Sequence, residues 1–204
     1  MLGQAYGFGK LGLAVDFAQA AAWYRKAAAA GLAKAQFNVG LSYDLGKGSV
    51  QDAAQAARLY RLAADQGYPG AIFNLGISYR DGTGVPQDHA AAFAHFRRAA
   101  ELGDLDAMAE LASCYRDGEG TAVDYAQAMC WARRAADQGS ASAMCTAGAL
   151  YTDGEGVPAD RAEAVRWFER SAAAGEFSAK ANLRKFAADG FAPAAAALRR
   201  LGLE

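Results

Sequence analysis

A fixed interval of 36 residues constrains the fold of this chain more than any other feature of its sequence. One glycine column keeps that interval: Gly31, Gly67, Gly103, Gly139 and Gly175. Columns of aspartate, alanine and tyrosine keep it too, so composition alone does not explain the spacing. A period of this length is typical of supersecondary units that stack on one another, because one such unit cannot bury its own apolar face. The sequence therefore predicts a solenoid.

The unit at residues 68–103 shows which elements repeat. Its first half carries alanine, leucine and tyrosine at helical spacing, with Pro69 in the first turn, where no backbone N–H is needed. The run 81–86, which contains glycines and a proline, ends that helix. Asp88 then caps a second helix, which Gly103 terminates. Each unit is predicted to contain a helix A, a glycine-rich turn and a helix B.

These units predict an all-α fold, a right-handed α/α superhelical solenoid of about eleven or twelve antiparallel helices without a sheet. We expect a single repeat domain over residues 1–204. Its predicted parts are a partial repeat at 1–31, full repeats at 32–67, 68–103, 104–139 and 140–175, and a degenerate capping repeat at 176–204. In the first unit, Leu2 to Tyr6 match only the second half of helix A. In the last unit, Pro193–Leu201 is predicted to form a final helix.

The charge balance argues against two classes of partner. The chain has 21 basic and 22 acidic side chains, whereas a protein that binds nucleic acid or a membrane surface carries a basic excess. No apolar run approaches the roughly 18 residues that a membrane span needs. No signal peptide is visible, which predicts a cytoplasmic protein. If the N-terminus is truncated, a periplasmic or exported protein is expected instead. A monomer or weak dimer is expected.

The three cysteines, Cys114, Cys130 and Cys145, occupy different columns of the repeat. A disulfide framework would place pairs at matching positions in every unit, so we expect free thiols. One alternative stays open: a Cys114–Cys130 bridge between paired helices, if the protein is exported.

Residues that often carry catalysis or bind metals lack suitable partners in this sequence. Turns such as 81–84 and 153–156 lack the preceding strand and the following Lys-Ser/Thr of a phosphate loop, and the alternating oxygen ligands of a calcium loop. His89 and His95 are six residues apart and so do not share a helix face. No nucleophile has a histidine in register to activate it. The sequence predicts no enzyme activity, no cofactor and no metal site.

Unit three combines the repeated columns into one pattern. The residues that carry it are Ala71, Leu75-Gly76, Tyr79, Gly82, Gly84, Asp88, Ala92, Ala99-Ala100 and Gly103. The pattern resembles the Sel-one-like repeat family, relatives of the tetratricopeptide repeats with a slightly longer period. The family's tryptophan is His95 in this unit and Trp167 in unit five, where Ala147 replaces the leucine. The resemblance covers nearly the whole chain and implies a tetratricopeptide-like adaptor; some bacterial relatives are immunity proteins against toxic effectors.

By analogy with tetratricopeptide geometry, certain positions of each helix A point into a binding groove. In the N-terminal half, Phe37, Leu41, Phe73 and Ile77 form what we call the apolar strip. A contiguous apolar patch usually marks a contact site. The alternative is that a helix at the N-terminus or a neighbouring molecule covers the patch. The predicted partner-binding residues are Lys34, Phe37, Leu41, Asp44, Phe73, Ile77, Arg80 and Arg116. We expect Phe37 and Phe73 to project away from the alanine, leucine and tyrosine columns that join the helices.

The leading hypothesis is a non-catalytic, bacterial scaffold that binds a peptide or protein along these residues. A second hypothesis is an immunity or regulatory protein that sequesters one effector. A third is a small-molecule binder or enzyme that uses the strip as an apolar pocket.

A basic row along the ends of helix B, from Arg61 to Arg170, is the next candidate surface, because it would attract an acidic partner. Cations at helix C-termini also complement the helix dipole. Asp65 and Glu101 lie four residues after Arg61 and Arg97, so local ion pairing is the competing explanation.

Overall fold

The computed structural model describes residues 16–203 of the chain. Over that span the chain forms eleven α-helices and no β-strand, which confirms the all-α prediction. The helices are α1 (Phe17–Ala29), α2 (Ala33–Leu45), α3 (Ala53–Asp65), α4 (Pro69–Asp81), α5 (His89–Glu101), α6 (Leu105–Asp117), α7 (Tyr125–Ala136), α8 (Ala141–Asp153), α9 (Arg161–Ala173), α10 (Phe177–Ala188) and α11 (Ala192–Arg200). Helices α2, α4, α6 and α8 are the predicted helices A. The predicted partial helix at Leu2–Tyr6 lies outside the described residues.

The predicted start and stop residues of the helices are confirmed. The side chain of Asp88 accepts a hydrogen bond from the backbone N–H of Ala91 at 3.0 Å, and Pro69 lies in the first turn of α4. Gly103 follows the end of α5 with φ of +90°, a conformation that is costly for residues with a β-carbon. The same aspartate cap begins α1, α3, α7 and α9 at Asp16, Asp52, Asp124 and Asp160.

The chain divides into two compact units, residues 1–102 and 103–204. In the first unit, each helix from α1 to α5 packs against the next. Tyr60 and Phe96 fill its core, and their exposed fractions are 1% and 0%. A β-carbon on Gly76 of α4 would lie 2.7 Å from Cε1 of Phe96, so only glycine lets the ring rest against the backbone of helix A.

In the second unit, each helix from α6 to α11 packs against the next, and the same arrangement recurs where the ring of Phe168 lies over Gly148. Phe168, Leu183 and Phe186 belong to the cluster that buries the last two helices. A separate cluster in this unit contains Trp167. The prediction of one domain over the whole chain stays a prediction.

The last helix confirms the predicted final element with a shift of one residue at each end, since Pro193–Leu201 was expected and Ala192–Arg200 is observed. Arg200 donates two hydrogen bonds, of 2.6 and 2.7 Å, to the carboxylate of Glu169 in α9. A surface ion pair thus joins the last helix to α9 in addition to their apolar contacts.

The glycine-rich turns are structural. Gly82 caps the C-terminus of α4 in the left-handed conformation, with φ of +67°. Gly84 has φ of +75°, and a β-carbon there would collide with the backbone carbonyl of Ala53 at the start of α3. The second glycine of the turn thus permits close contact with a neighbouring helix, which explains its recurrence without any bound phosphate.

Candidate partner-binding surface

Helices α2 and α4 carry the apolar strip. Phe37 and Leu41 lie one turn apart on α2, and Phe73 and Ile77 lie one turn apart on α4. All four side chains are half-buried, so each keeps part of its apolar surface in contact with solvent. Seven of the eight predicted residues belong to the first unit; the eighth, Arg116, lies in the last turn of α6 in the second.

The two phenylalanine rings of the strip also pack inside the repeat. The ring of Phe37 lies 5.0 Å from that of Tyr68 and 5.9 Å from that of Tyr60, measured between centroids. The ring of Phe73 lies 5.8 Å from that of Phe96. The sequence did not predict these contacts, which are made to aromatic residues outside the alanine, leucine and tyrosine columns. Each ring packs at a tilted angle against a core aromatic residue and is itself half-buried.

A cleft of about 230 Å³ opens beside the strip, between α1 and α2. Leu41 and Leu45 form one wall, and Phe17, Ala21 and Tyr24 form the other. The cleft extends the exposed apolar surface from α2 onto α1.

Two polar residues of the predicted site, Asp44 and Lys34, lie on α2. The hydroxyl of Tyr60 donates to Oδ2 of Asp44 at 3.0 Å. Burial and the neighbouring Asp44 carboxylate both raise the pKa of Tyr60, so the phenol stays protonated and keeps donating. Lys34, at the start of α2, is exposed.

The two arginines of the predicted site pair with the aspartate that follows each of them. Arg80 donates to Asp81 at 2.8 and 3.3 Å, and Arg116 donates to Asp117 at 2.7 and 2.8 Å. The hydrogen bond that Arg116 donates to Asp117 raises the pKa of Arg116. Both guanidinium groups are thus partly neutralised, and a ligand would meet a hydrogen-bonding surface more than a net positive charge.

The basic row is engaged mainly in the repeat itself. Arg61 donates to the hydroxyl of Tyr79 at 2.8 Å. Arg98 donates to the backbone carbonyl of Ala64 at 2.9 Å. The same arginine–tyrosine bond recurs in the second unit as Arg133 to Tyr151, at 2.8 Å. One of the predicted ion pairs between an arginine and an acid four residues later is present. Nε of Arg97 lies 3.9 Å from Oε1 of Glu101.

Sequence reasoning missed a set of cation–π contacts on helix B. The guanidinium carbon of Arg134 lies 5.0 Å from the ring centre of Trp131, and that of Arg170 lies 4.7 Å from that of Trp167. The spacing of three residues places each pair on one helix face, so the contacts were visible in principle.

The three cysteines are free thiols. Burial, with the nearby Glu176 carboxylate, raises the pKa of Cys145 to about 11, so its thiol is protonated near neutral pH. Across residues 16–203, no group of three His, Cys, Asp or Glu side chains could hold a metal ion. No helix within that span has the length and hydropathy needed to cross a membrane.

Comparison with known families gives five consecutive matches to the Sel1 repeat. They span residues 1–32, 33–68, 69–104, 105–140 and 141–176. These bounds lie one residue after those predicted from the glycine column. No curated protein matches the sequence.

Several solved structures are similar to this chain. A Sel1 repeat protein from Oxalobacter formigenes is 34% identical with a TM-score of 0.81, and the match covers 91% of this chain and 76% of that one. A protective antigen of uropathogenic Escherichia coli with an SLR fold is 32% identical with a TM-score of 0.83; the match covers 97% of this chain and 44% of the antigen. An immunity protein from Pseudomonas aeruginosa is 25% identical with a TM-score of 0.57, and the match covers 88% of this chain and 68% of that one.

Proposed function

We propose that this chain, which belongs to the Sel1 repeat family, is a non-catalytic adaptor that binds a peptide or protein segment along the apolar strip. Sel1 repeats typically bind proteins, and this coarse role is a property of the family. The three similar structures named above come from bacteria, which supports a bacterial origin for this chain as well.

The half-exposed strip on α2 and α4 is the observation that supports this location. Phe37 and Phe73 are held in place by aromatic neighbours, so a ligand would not have to order them on binding. Aromatic residues fixed in this way are typical anchors at protein interfaces. The hydrogen-bonding groups of Asp44 and Arg80 lie on the same two helices and would form a polar rim.

A second function, sequestration of one effector by an immunity protein, is supported by the similarity to the Pseudomonas aeruginosa immunity protein. It would use the same kind of binding, so the two functions differ in the partner and not in the chemistry. Protection of a cell against a co-expressed toxic effector would favour this function.

The test is a binding measurement with strip variants. A partner captured from the native organism is identified and then titrated calorimetrically against the parent protein. Phe37→Asp with Phe73→Asp should abolish binding, because buried carboxylates would lack a counter-ion. Since both rings pack on core residues, this pair is expected to lower thermal stability too. Leu41→Ser with Ile77→Ser retains both rings and should weaken binding at least tenfold with helicity unchanged.

The matched control removes exposed apolar surface elsewhere. Val123 and Phe177 lie in the second unit and are 49% and 74% exposed. Val123→Ser with Phe177→Ser should leave the affinity unchanged. Full affinity in the Leu41 and Ile77 pair would move the site away from the strip.

A further inference from the structure

The repeats fill one position of helix B with a ring that lies against the tyrosine of helix A. In α5 this residue is His95, whose ring stacks on that of Tyr79 at 5.5 Å with an interplanar angle of 10°. In α9 it is Trp167, which is 9% exposed and shares a cluster with Tyr151. The corresponding residue of α3 is Leu59, which has no ring to offer to Tyr43.

A cleft of about 280 Å³ lies where that ring is missing, between α1, α2 and α3. Tyr43, Val39 and Leu59 give it an apolar floor, and it is open to solvent. Its size is close to the lower end of the range for small-ligand pockets, about 300 Å³.

The hydroxyl of Tyr43 also lacks the arginine donor that the hydroxyls of Tyr79 and Tyr151 have. Tyr79 receives a hydrogen bond from Arg61, but the corresponding Arg25 donates instead to the carbonyl of Gly48 and the hydroxyl of Ser49, at 3.2 and 2.6 Å. Within residues 16–203 the Tyr43 side chain therefore has neither the stacked ring nor the guanidinium partner that Tyr79 has.

A cation lies at the rim of this cleft. Arg58 lines it from α3, is exposed, and forms no hydrogen bond or ion pair through its side chain with the rest of residues 16–203. Gln55, one turn earlier on the same helix, supplies both a donor and an acceptor. A guanidinium in this position suits a carboxylate held next to the apolar floor.

We propose that this cleft binds an aromatic side chain flanked by a carboxylate, on a peptide segment of a partner protein. The ring would stack on Tyr43, as His95 stacks on Tyr79, and Arg58 would donate to the carboxylate. The site shares no residue with the apolar strip, so its failure in a test leaves the proposed function of the strip intact.

The test is an NMR titration of the ¹⁵N-labelled protein with the capped dipeptide N-acetyl-Glu-Trp-amide. Saturable shifts of the Tyr43 and Leu59 amides are expected, with a dissociation constant on the order of 1 mM. Two probes serve as matched controls, N-acetyl-Glu-Leu-amide without the ring and N-acetyl-Lys-Trp-amide with the opposite charge. Each should bind about tenfold more weakly, because each loses one of the two contacts.

Variants locate the site. Leu59→Trp should fill the cleft, weaken binding of the Glu-Trp probe at least tenfold and keep or raise the melting temperature. If the tryptophan variant does not fold, Leu59→His is used instead, because histidine occupies this position in the next repeat. Arg58→Gln should weaken binding severalfold, whereas Arg97→Gln, an exposed arginine outside the cleft, should not change it.

Three results would overturn the proposal. One is the absence of saturable shifts up to about 10 mM probe; another is equal affinity of the leucine probe or of the Leu59 variants. The third is self-association of the chain. In that case the NMR resonance of the Tyr43 amide shifts when the parent protein alone is diluted, and this shift is lost in Phe177→Ser. A second copy of this chain would then occupy the cleft.

Discussion

The two compact units share one packing device, a ring of helix B over a glycine of helix A. They differ in the neighbouring column of helix B. In both, a ring of helix B lies over a glycine of helix A, as Phe96 does over Gly76 and Phe168 over Gly148. The neighbouring column of helix B then separates them, since it contains Trp23, Leu59 and His95 in the first unit and Trp131 and Trp167 in the second, and Trp23 is 38% exposed.

The units also differ at one column of helix A. In the first unit the rings of Phe37 and Phe73 lie on helix A, half-exposed, and a cleft opens at Leu59. In the second unit the positions of those two rings are taken by Ala109 and Cys145, while Trp167 of helix B is buried and Trp131 packs against the same cluster. Repeats with the same spacing can thus place large side chains either in the core or at the surface. Function can differ between repeats at the surface positions that change in this way.

The largest effect should come from the shared device. Phe96→Ala and Phe168→Ala should each lower the free energy of unfolding by about 3–5 kcal/mol, because each ring is almost wholly buried. Denaturant unfolding of both variants measures it. Phe177→Ala, at a ring that is 74% exposed, should change it by less than about 0.5 kcal/mol. A small loss at only one buried ring would show that the two units do not share this device.

The small alanines of helix B should tolerate no added volume in either unit. Ala92 and Ala164 occupy one column and are 2% and 0% exposed. Ala92→Leu and Ala164→Leu should each cost about 1–3 kcal/mol through overpacking. Thermal unfolding measures both, and a melting temperature equal to that of the parent for Ala92→Leu would show that the first unit has spare room at this column.

The aspartate caps should contribute equally to both units. Asp88 and Asp160 each accept a hydrogen bond from a backbone N–H in the first turn of helix B, at 3.0 and 2.9 Å. Replacement of either by alanine should cost about 1 kcal/mol, and replacement by asparagine should be nearly neutral. Hydrogen exchange of the first-turn amides reports on each cap separately; unchanged exchange in Asp88→Ala would contradict this assignment.

The smallest effect should come from the cation–π contacts of helix B, which both units have, since Nζ of Lys26 lies 4.7 Å from the ring centre of Trp23 in the first unit. Arg170 lies 4.7 Å from the Trp167 ring, so Arg170→Gln should cost about 0.5–1 kcal/mol. Among residues 16–203 the Arg58 guanidinium has no such contact, and Arg58→Gln should leave the free energy of unfolding unchanged. Equal losses in the two variants would indicate a general effect of helix charge and not a specific cation–π contact.

The helices and their ends were predictable from sequence because their signals are local. A left-handed glycine such as Gly103 and a cap such as Asp88 depend on backbone geometry within one turn. The contacts of the strip were not predictable, since Phe37 meets Tyr60 and Tyr68, which lie in other helices or turns. The period shows which residues share a column, but it does not show which face of a half-buried ring is covered.

The sequence by itself determined the repeat, its all-helical character and its family, because those follow from spacing, caps and glycines that recur at every unit. Only the tertiary structure decided that Arg61 bonds to Tyr79, that Phe73 covers Phe96, and that Leu59 leaves a cleft beside Tyr43. These outcomes depend on the volumes and hydrogen-bonding groups of side chains from several helices at once. A substitution that is silent in the one-dimensional pattern becomes a cavity, a contact or a free hydroxyl once the helices pack.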